Sequence, residues 1–206
     1  MKGNSYTVGY AGILGAVCAL LLTAAARFTA PYKDANADAE RKRNILDVLQ
    51  VPFPHDSSSQ ELLKIFEQNV DSQETGGLRL YTYPKGPATP ETVAVAFEGP
   101  GLWGPIKGFI ALAQDMRSIR GITFYEQEET PGLGGEIASA RFGKQFEGKR
   151  ITDSSGNPGI IINDGSEKSA VNEVDAITGA TLTCEKVEQI LNSVIEKIVQ
   201  ENDKND

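Results

Sequence analysis

The sequence predicts one N-terminal transmembrane helix followed by a single mixed α+β domain, and three observations predict it. Residues 3–26 carry no charge. Short β-prone runs and helical stretches then follow in mixed order, without the regular alternation of a Rossmann fold. A long amphipathic pattern closes the chain, with Val187, Ile190, Leu191, Val194, Ile195 and Ile198 recurring at three- and four-residue steps.

At about 1.5 Å per residue, the roughly 21 residues of 6–26 span on the order of 30 Å, the thickness of a hydrocarbon core. A cleaved signal peptide is the alternative, with Ala24-Ala25-Ala26 as its small-residue site. A lipoprotein reading is weaker, because Val17 precedes Cys18 where a small residue is wanted. Lys2 stands alone on one flank against Arg27, Lys33, Arg41, Lys42 and Arg43 on the other, so positive side chains alone place the domain in the cytoplasm. Residues 34–50 are strongly charged and end with Ile45, Leu46, Val48 and Leu49, which predicts a helix continuing from the membrane. Val51-Pro52-Phe53-Pro54 stops it. Ser58 with Glu61 makes a capping box for a second helix carrying Leu62, Leu63, Ile65, Phe66 and Val70, and the Gly76-Gly77 loop ends that piece. Residues 78–83, 92–97, 108–113, 119–125 and 160–162 read as strands between Pro-rich or Gly-rich turns, with a helix over 135–146 interrupting them. The organisation expected is a tail and anchor over 1–28, a juxtamembrane helical segment over 29–75 and the domain proper over 76–206.

Composition excludes several functions. The 206 residues carry net charge −8, and beyond residue 28 there are 18 basic against 28 acidic side chains, so nucleic acid is not an expected partner. One histidine, His55, and two cysteines, Cys18 and Cys184, supply no ligand set for zinc, haem or an iron–sulfur cluster, and no hydrolytic triad. No metal site and no catalytic residue are expected within the chain. Glu126, Glu128, Glu129 and Glu136 read as solvated loop carboxylates, since nothing pairs them at catalytic separation. His55, beside Pro54, reads as a surface loop residue.

The chemistry concentrates at Asp175-Ala176-Ile177-Thr178-Gly179-Ala180-Thr181-Leu182-Thr183, directly before the terminal helix. Gly179 allows a sharp bend, Thr183 is the N-cap candidate, and Glu185 falls in the first turn. A helix start offers unpaired N–H groups and partial positive charge, the environment an anionic phosphate prefers. Cys184 at that start favours its thiolate, although a small capping-region residue accounts for it without a redox role. Asp-x-x-Ser/Thr-Gly-Ala-Thr is the signature of a domain that carries FMN through its phosphate on the final threonine. Average residue usage gives that pattern by chance in roughly one chain of this size in a few thousand.

Two glycine-rich loops accompany the motif: Glu98-Gly99-Pro100-Gly101-Leu102-Trp103-Gly104-Pro105 and Glu129-Thr130-Pro131-Gly132-Leu133-Gly134-Gly135. Absent Cβ atoms let a flat ring approach the backbone, and Leu133 can lie against an isoalloxazine face. The first loop is the weaker candidate, with Trp103 as a core or partner-facing aromatic.

Together, the runs 101–112, 120–126 and 129–136 with 175–183 resemble the C subunit of the sodium-translocating NADH:quinone reductase. The resemblance runs from the membrane helix through the terminal helix and is thin over 56–92. A sister family, the corresponding subunit of the ion-translocating ferredoxin:NAD reductase complex, shares the Thr-Pro-Gly-Leu-Gly loop and the threonine motif. The resemblance implies covalent FMN on Thr181, a flavin transferase recognising Asp175, Thr178, Gly179 and Ala180, and cofactor contacts from Leu182, Thr183, Glu129, Thr130, Pro131, Gly132, Leu133 and Gly134. It implies an electron-transfer subunit with no complete active site of its own. Its partners are other membrane subunits, which supply the NADH and ubiquinone chemistry and the sodium transport. It also implies an inner-membrane, single-pass protein whose domain is exported to the periplasmic side, against the charge count. A membrane-anchored extracellular binding module without flavin is the competing class.

Overall fold

A computed structural model describes residues 3–54, 56–86, 89–163 and 170–205, so Lys2 and His55 lie outside the described residues. Contacts divide the chain into two compact units, residues 1–39 and 40–206. Helix α1, Gly3–Val48, begins in the first and ends in the second, with Pro31 inside it. In the first unit the helix is long and apolar enough to cross a membrane, and its large side chains, Leu20 and Leu22 among them, are exposed.

The second unit is built on a five-stranded antiparallel meander in sequential order: β1 (Asp71–Thr75), β2 (Leu78–Tyr83), β3 (Thr92–Pro100), β4 (Pro105–Ala113) and β5 (Ile119–Glu126). The period of two along the strands divides their side chains between two cores. Ala94, Phe109 and Ala111 face the end of α1 and helix α2 (Ser59–Asn69), packing with Ile45, Leu46, Leu49 and Leu62. Val95, Phe97, Ile110 and Leu112 face the opposite layer, which is formed by a 3₁₀ turn (Gly134–Ala138), α3 (Ala140–Lys144) and the terminal helix α4 (Thr181–Asn205). Both faces of β3 and β4 are covered, which is why those strands read as near-continuous apolar runs. A parallel pair, β6 (Ile161–Asn163) and β7 (Glu173–Asp175), delivers the chain to α4.

The mixed α+β architecture is therefore present, and the capping box forms as read: Ser58 N–H donates to Glu61 at 2.8 Å, and Glu61 N–H to Ser58 Oγ at 3.4 Å. Several expectations are corrected. The Gly76-Gly77 loop closes a β1–β2 hairpin, both glycines having positive φ. The polar run Asp-Ser-Gln-Glu-Thr of β1 gives no alternation because it is a largely exposed edge strand. The helix expected over 135–146 is broken at Ser139, whose extended backbone and side chain cap α3 instead. Helix α4 starts at Thr181, so Thr183 is its third residue rather than its N-cap, and Glu185 lies beyond the first turn.

Candidate functional site

The Asp175–Thr183 segment is pinned from both sides. Gln145 of the α3 end brackets Asp175, accepting from its N–H at 2.9 Å and donating to its carbonyl at 3.3 Å. Ile177 N–H points to Cys184 Sγ at 3.3 Å, and Ala180 N–H closes onto the Ile177 carbonyl at 2.9 Å. Gly179 occupies the left-handed region at φ +79°, which favours glycine, and a Cβ there would sit 3.2 Å from Leu133 Cδ2, close enough that the leucine would have to shift slightly. Thr178, Gly179, Thr181 and Leu182 are exposed or half-buried, whereas Ala180 and Thr183 are buried. The Thr181 hydroxyl thus stands at the first residue of a 25-residue helix, open to an incoming enzyme. By helix geometry the N–H groups of Thr181, Leu182 and Thr183 have no acceptor inside the helix.

The fold brings the second glycine loop onto this turn. Thr130 carbonyl accepts from Leu133 at 3.1 Å and Gly135 at 2.9 Å, which curls the loop and leaves Thr130, Pro131, Gly132 and Leu133 exposed. Gly134 is buried against the Thr183 hydroxyl, in space a Cβ would fill. Glu129, read from the sequence as a solvated carboxylate, is in fact 4% exposed. Its Oε2 accepts from Thr183 Oγ1 at 2.7 Å, and its Oε1 accepts from the backbone N–H groups of Leu102 at 2.8 Å and Trp103 at 3.2 Å. The first glycine loop, ranked the weaker candidate, is therefore joined to the site through one side chain. Trp103 is not a core aromatic, being 70% exposed at the β3–β4 tip.

Beside the motif lies a groove of about 560 Å³ lined by Asp175 and Thr178 at one edge and by Arg141, Phe142 and Lys149 at the other. Sequence reasoning missed Gln145, Arg141 and Lys149. No local pattern marks them, because only the tertiary fold returns that stretch to the motif. Cys184 is also corrected. Burial pushes its thiol above the usual range, and the Ile177 N–H, which favours the thiolate, does not offset it. Desolvation outweighs the helix-start field that the sequence reading relied on. Among the described residues no cluster of three or more His, Cys, Asp or Glu side chains is placed to hold a metal ion.

The donor set suits a flavin nucleotide. The helix-start N–H groups and the exposed Thr178 hydroxyl can donate to a phosphate diester formed on the Thr181 oxygen, while the neighbouring groove mixes Arg141 and Lys149 with Glu136, Glu173 and Asp175. Exposed Leu133 and Leu182, at 43% and 57%, offer apolar contact to a flat ring.

Residues 101–196 match the family model described as the FMN-binding domain. The chain is thus a long apolar N-terminal helix followed by an α+β unit containing an FMN-binding domain. It is similar to the C subunit of the Na(+)-translocating NADH-quinone reductase of Haemophilus ducreyi, 27% identical over 85% of this chain and 83% of that protein. It is similar also to that of Pasteurella multocida, 25% identical over 83% and 82%. The crystal structure of the C subunit from Parabacteroides distasonis superposes with a TM-score of 0.68 at 25% identity, covering 82% of this chain and 94% of that one. The chain is a homologue of these C subunits over most of its length.

Proposed function

We propose that this chain is the electron-transfer subunit of a membrane Na(+)-translocating NADH:quinone oxidoreductase and carries FMN through a phosphoester to Thr181. The observation that carries the reading is the exposed Thr181 hydroxyl at the start of α4, behind the left-handed Gly179 and within the full Asp-x-x-Thr-Gly-Ala-Thr pattern. Bound FMN supplies the electron-carrying ring, while the protein supplies its position and potential. The N–H groups of Thr181, Leu182 and Thr183 would hold the diester's negative charge at the start of the helix. Leu133 and Leu182 exclude water from one side of the ring. A tether of this kind suits a cofactor working where it would otherwise diffuse away.

The NADH and quinone sites and sodium coupling belong to partner subunits, and a separate flavin transferase makes the bond. Residues 6–26 anchor the chain in the inner membrane, with the domain on the periplasmic side. Large downstream domains can be translocated against the local positive charge.

Expression beside a flavin transferase tests the central bond. Denatured wild-type chain is expected to fluoresce under ultraviolet light and to gain the mass of esterified FMN, and Thr181→Ala to lose both. A dark wild-type band would favour the binding module without flavin. Protease added to intact spheroplasts is expected to remove the domain; its protection would reverse the orientation.

A further inference from the structure

Glu129 is the one acidic or basic side chain buried among the described residues, and a buried carboxylate is unfavourable unless its oxygens are hydrogen-bonded. Here both oxygens are engaged, and each of the three partners donates. Those partners come from segments far apart in the chain: the β3–β4 tip at Leu102 and Trp103, and the first turn of α4 at Thr183. Glu129 itself opens the 130–134 loop, and its own N–H is fixed by Gln127 Oε1 at 2.7 Å. Two glycines make room for the carboxylate. A Cβ on Gly101 would lie 2.6 Å from Oε1, and one on Gly134 would lie 3.0 Å from Oε2. Tip and helix are thus one carboxylate apart.

We propose that Glu129 is a positioning residue for the flavin site. It clasps the exposed Leu102 and Trp103 tip and the 130–134 loop to the first turn of α4, and it fixes these apolar side chains beside the modified threonine. The same bond leaves the buried Thr183 hydroxyl committed as a donor, so that Thr181 is presented alone on that turn. The inference rests on the Thr181 reading above, but the clasp is measurable without flavin.

Trp103 is the only tryptophan in the chain, so its fluorescence reports the tip. In the flavin-free full chain, Glu129→Ala is expected to lower Trp103 anisotropy. The ratio of docked to undocked tip should fall by on the order of a hundredfold, the combined weight of the two charge-assisted bonds to Leu102 and Trp103. Glu129→Gln, which keeps the shape and a neutral acceptor for both N–H groups, is expected to recover most of the wild-type anisotropy. In the flavin-loaded chain, Trp103 emission is expected to be quenched relative to Thr181→Ala, and Glu129→Ala to relieve that quenching. Folded Glu129→Ala with wild-type anisotropy and quenching would overturn the proposal. If Glu129→Ala does not fold, Thr183→Val, which cuts only the helix arm, decides: relief of quenching supports the clasp, and unchanged quenching overturns it. Flavin remaining on Thr181→Ala would instead reject the attachment reading, leaving the flavin-free anisotropy as the test of the clasp.

Discussion

Gly179 shows how much of the site depends on single atoms. Its positive φ strains any side chain there, and the Leu133 methyl would have to move aside, so Gly179→Ala is expected to destabilise the turn by about 1 kcal/mol. FMN incorporation measured by intact mass should fall with it, while the far-ultraviolet circular dichroism of the domain stays near wild type. Cys184 makes a second prediction at the same scale. Its thiol is buried and its pKa is raised, chiefly by desolvation, so in a Cys18→Ser background iodoacetamide at pH 8 should label the chain only after denaturation. The sign follows from linkage. The folded state holds this proton more tightly than the unfolded one, so the contribution to stability is full below the ordinary thiol range. It is lost as pH rises through the folded value.

At the scale of elements, α4 was the most legible part of the chain because its apolar residues must face one layer, and the 3.6-residue period records that demand directly. Leu191 is fully buried on that face, and Leu191→Ala is expected to lower stability by about 2–5 kcal/mol in a urea melt. Leu182, exposed in the first turn of the same helix, should change stability by no more than about 0.5 kcal/mol when cut to alanine, yet alter the visible spectrum of the loaded flavin. The central strands were legible for a similar reason, since continuous apolar runs reflect cover on both faces. Strand β1 was not, because an edge strand of Asp, Ser, Gln, Glu and Thr owes its form to pairing with β2 and not to burial. The exact start of α4 is not legible because a threonine is the expected cap, whereas Ala180 takes that position: its carbonyl accepts from Cys184 N–H at 2.9 Å and the Thr183 hydroxyl goes to Glu129 instead. Glu129 was misread as solvated for a related reason. Its donors lie 26, 27 and 54 residues away, and no local pattern encodes such bonds.

At the scale of the whole molecule, the sheet carries two cores, and the layer that covers one of them, the end of α1 with α2, comes from residues before either glycine loop. Ile45, Leu46, Val48, Leu49 and Leu62 cover Phe109, Ala94 and Ala111, and Arg41 adds a bond from its guanidinium to the Tyr81 hydroxyl at 3.1 Å. The unit formed by residues 40–206 therefore holds every buried side chain that the flavin site leans on. A chain beginning at Glu40 is expected to be soluble, to melt cooperatively and to accept FMN on Thr181 from the transferase. A chain beginning at Gly76 lacks α2, β1 and the end of α1, and leaves Phe109 and its neighbours bare. At about 2–5 kcal/mol for each large buried side chain stripped of its partners, that loss exceeds the stability of an ordinary domain. Size-exclusion chromatography and thermal melting of the two truncations separate these outcomes: a monomeric, flavin-accepting chain from Gly76 would show that the α1 and α2 layer is dispensable to the site.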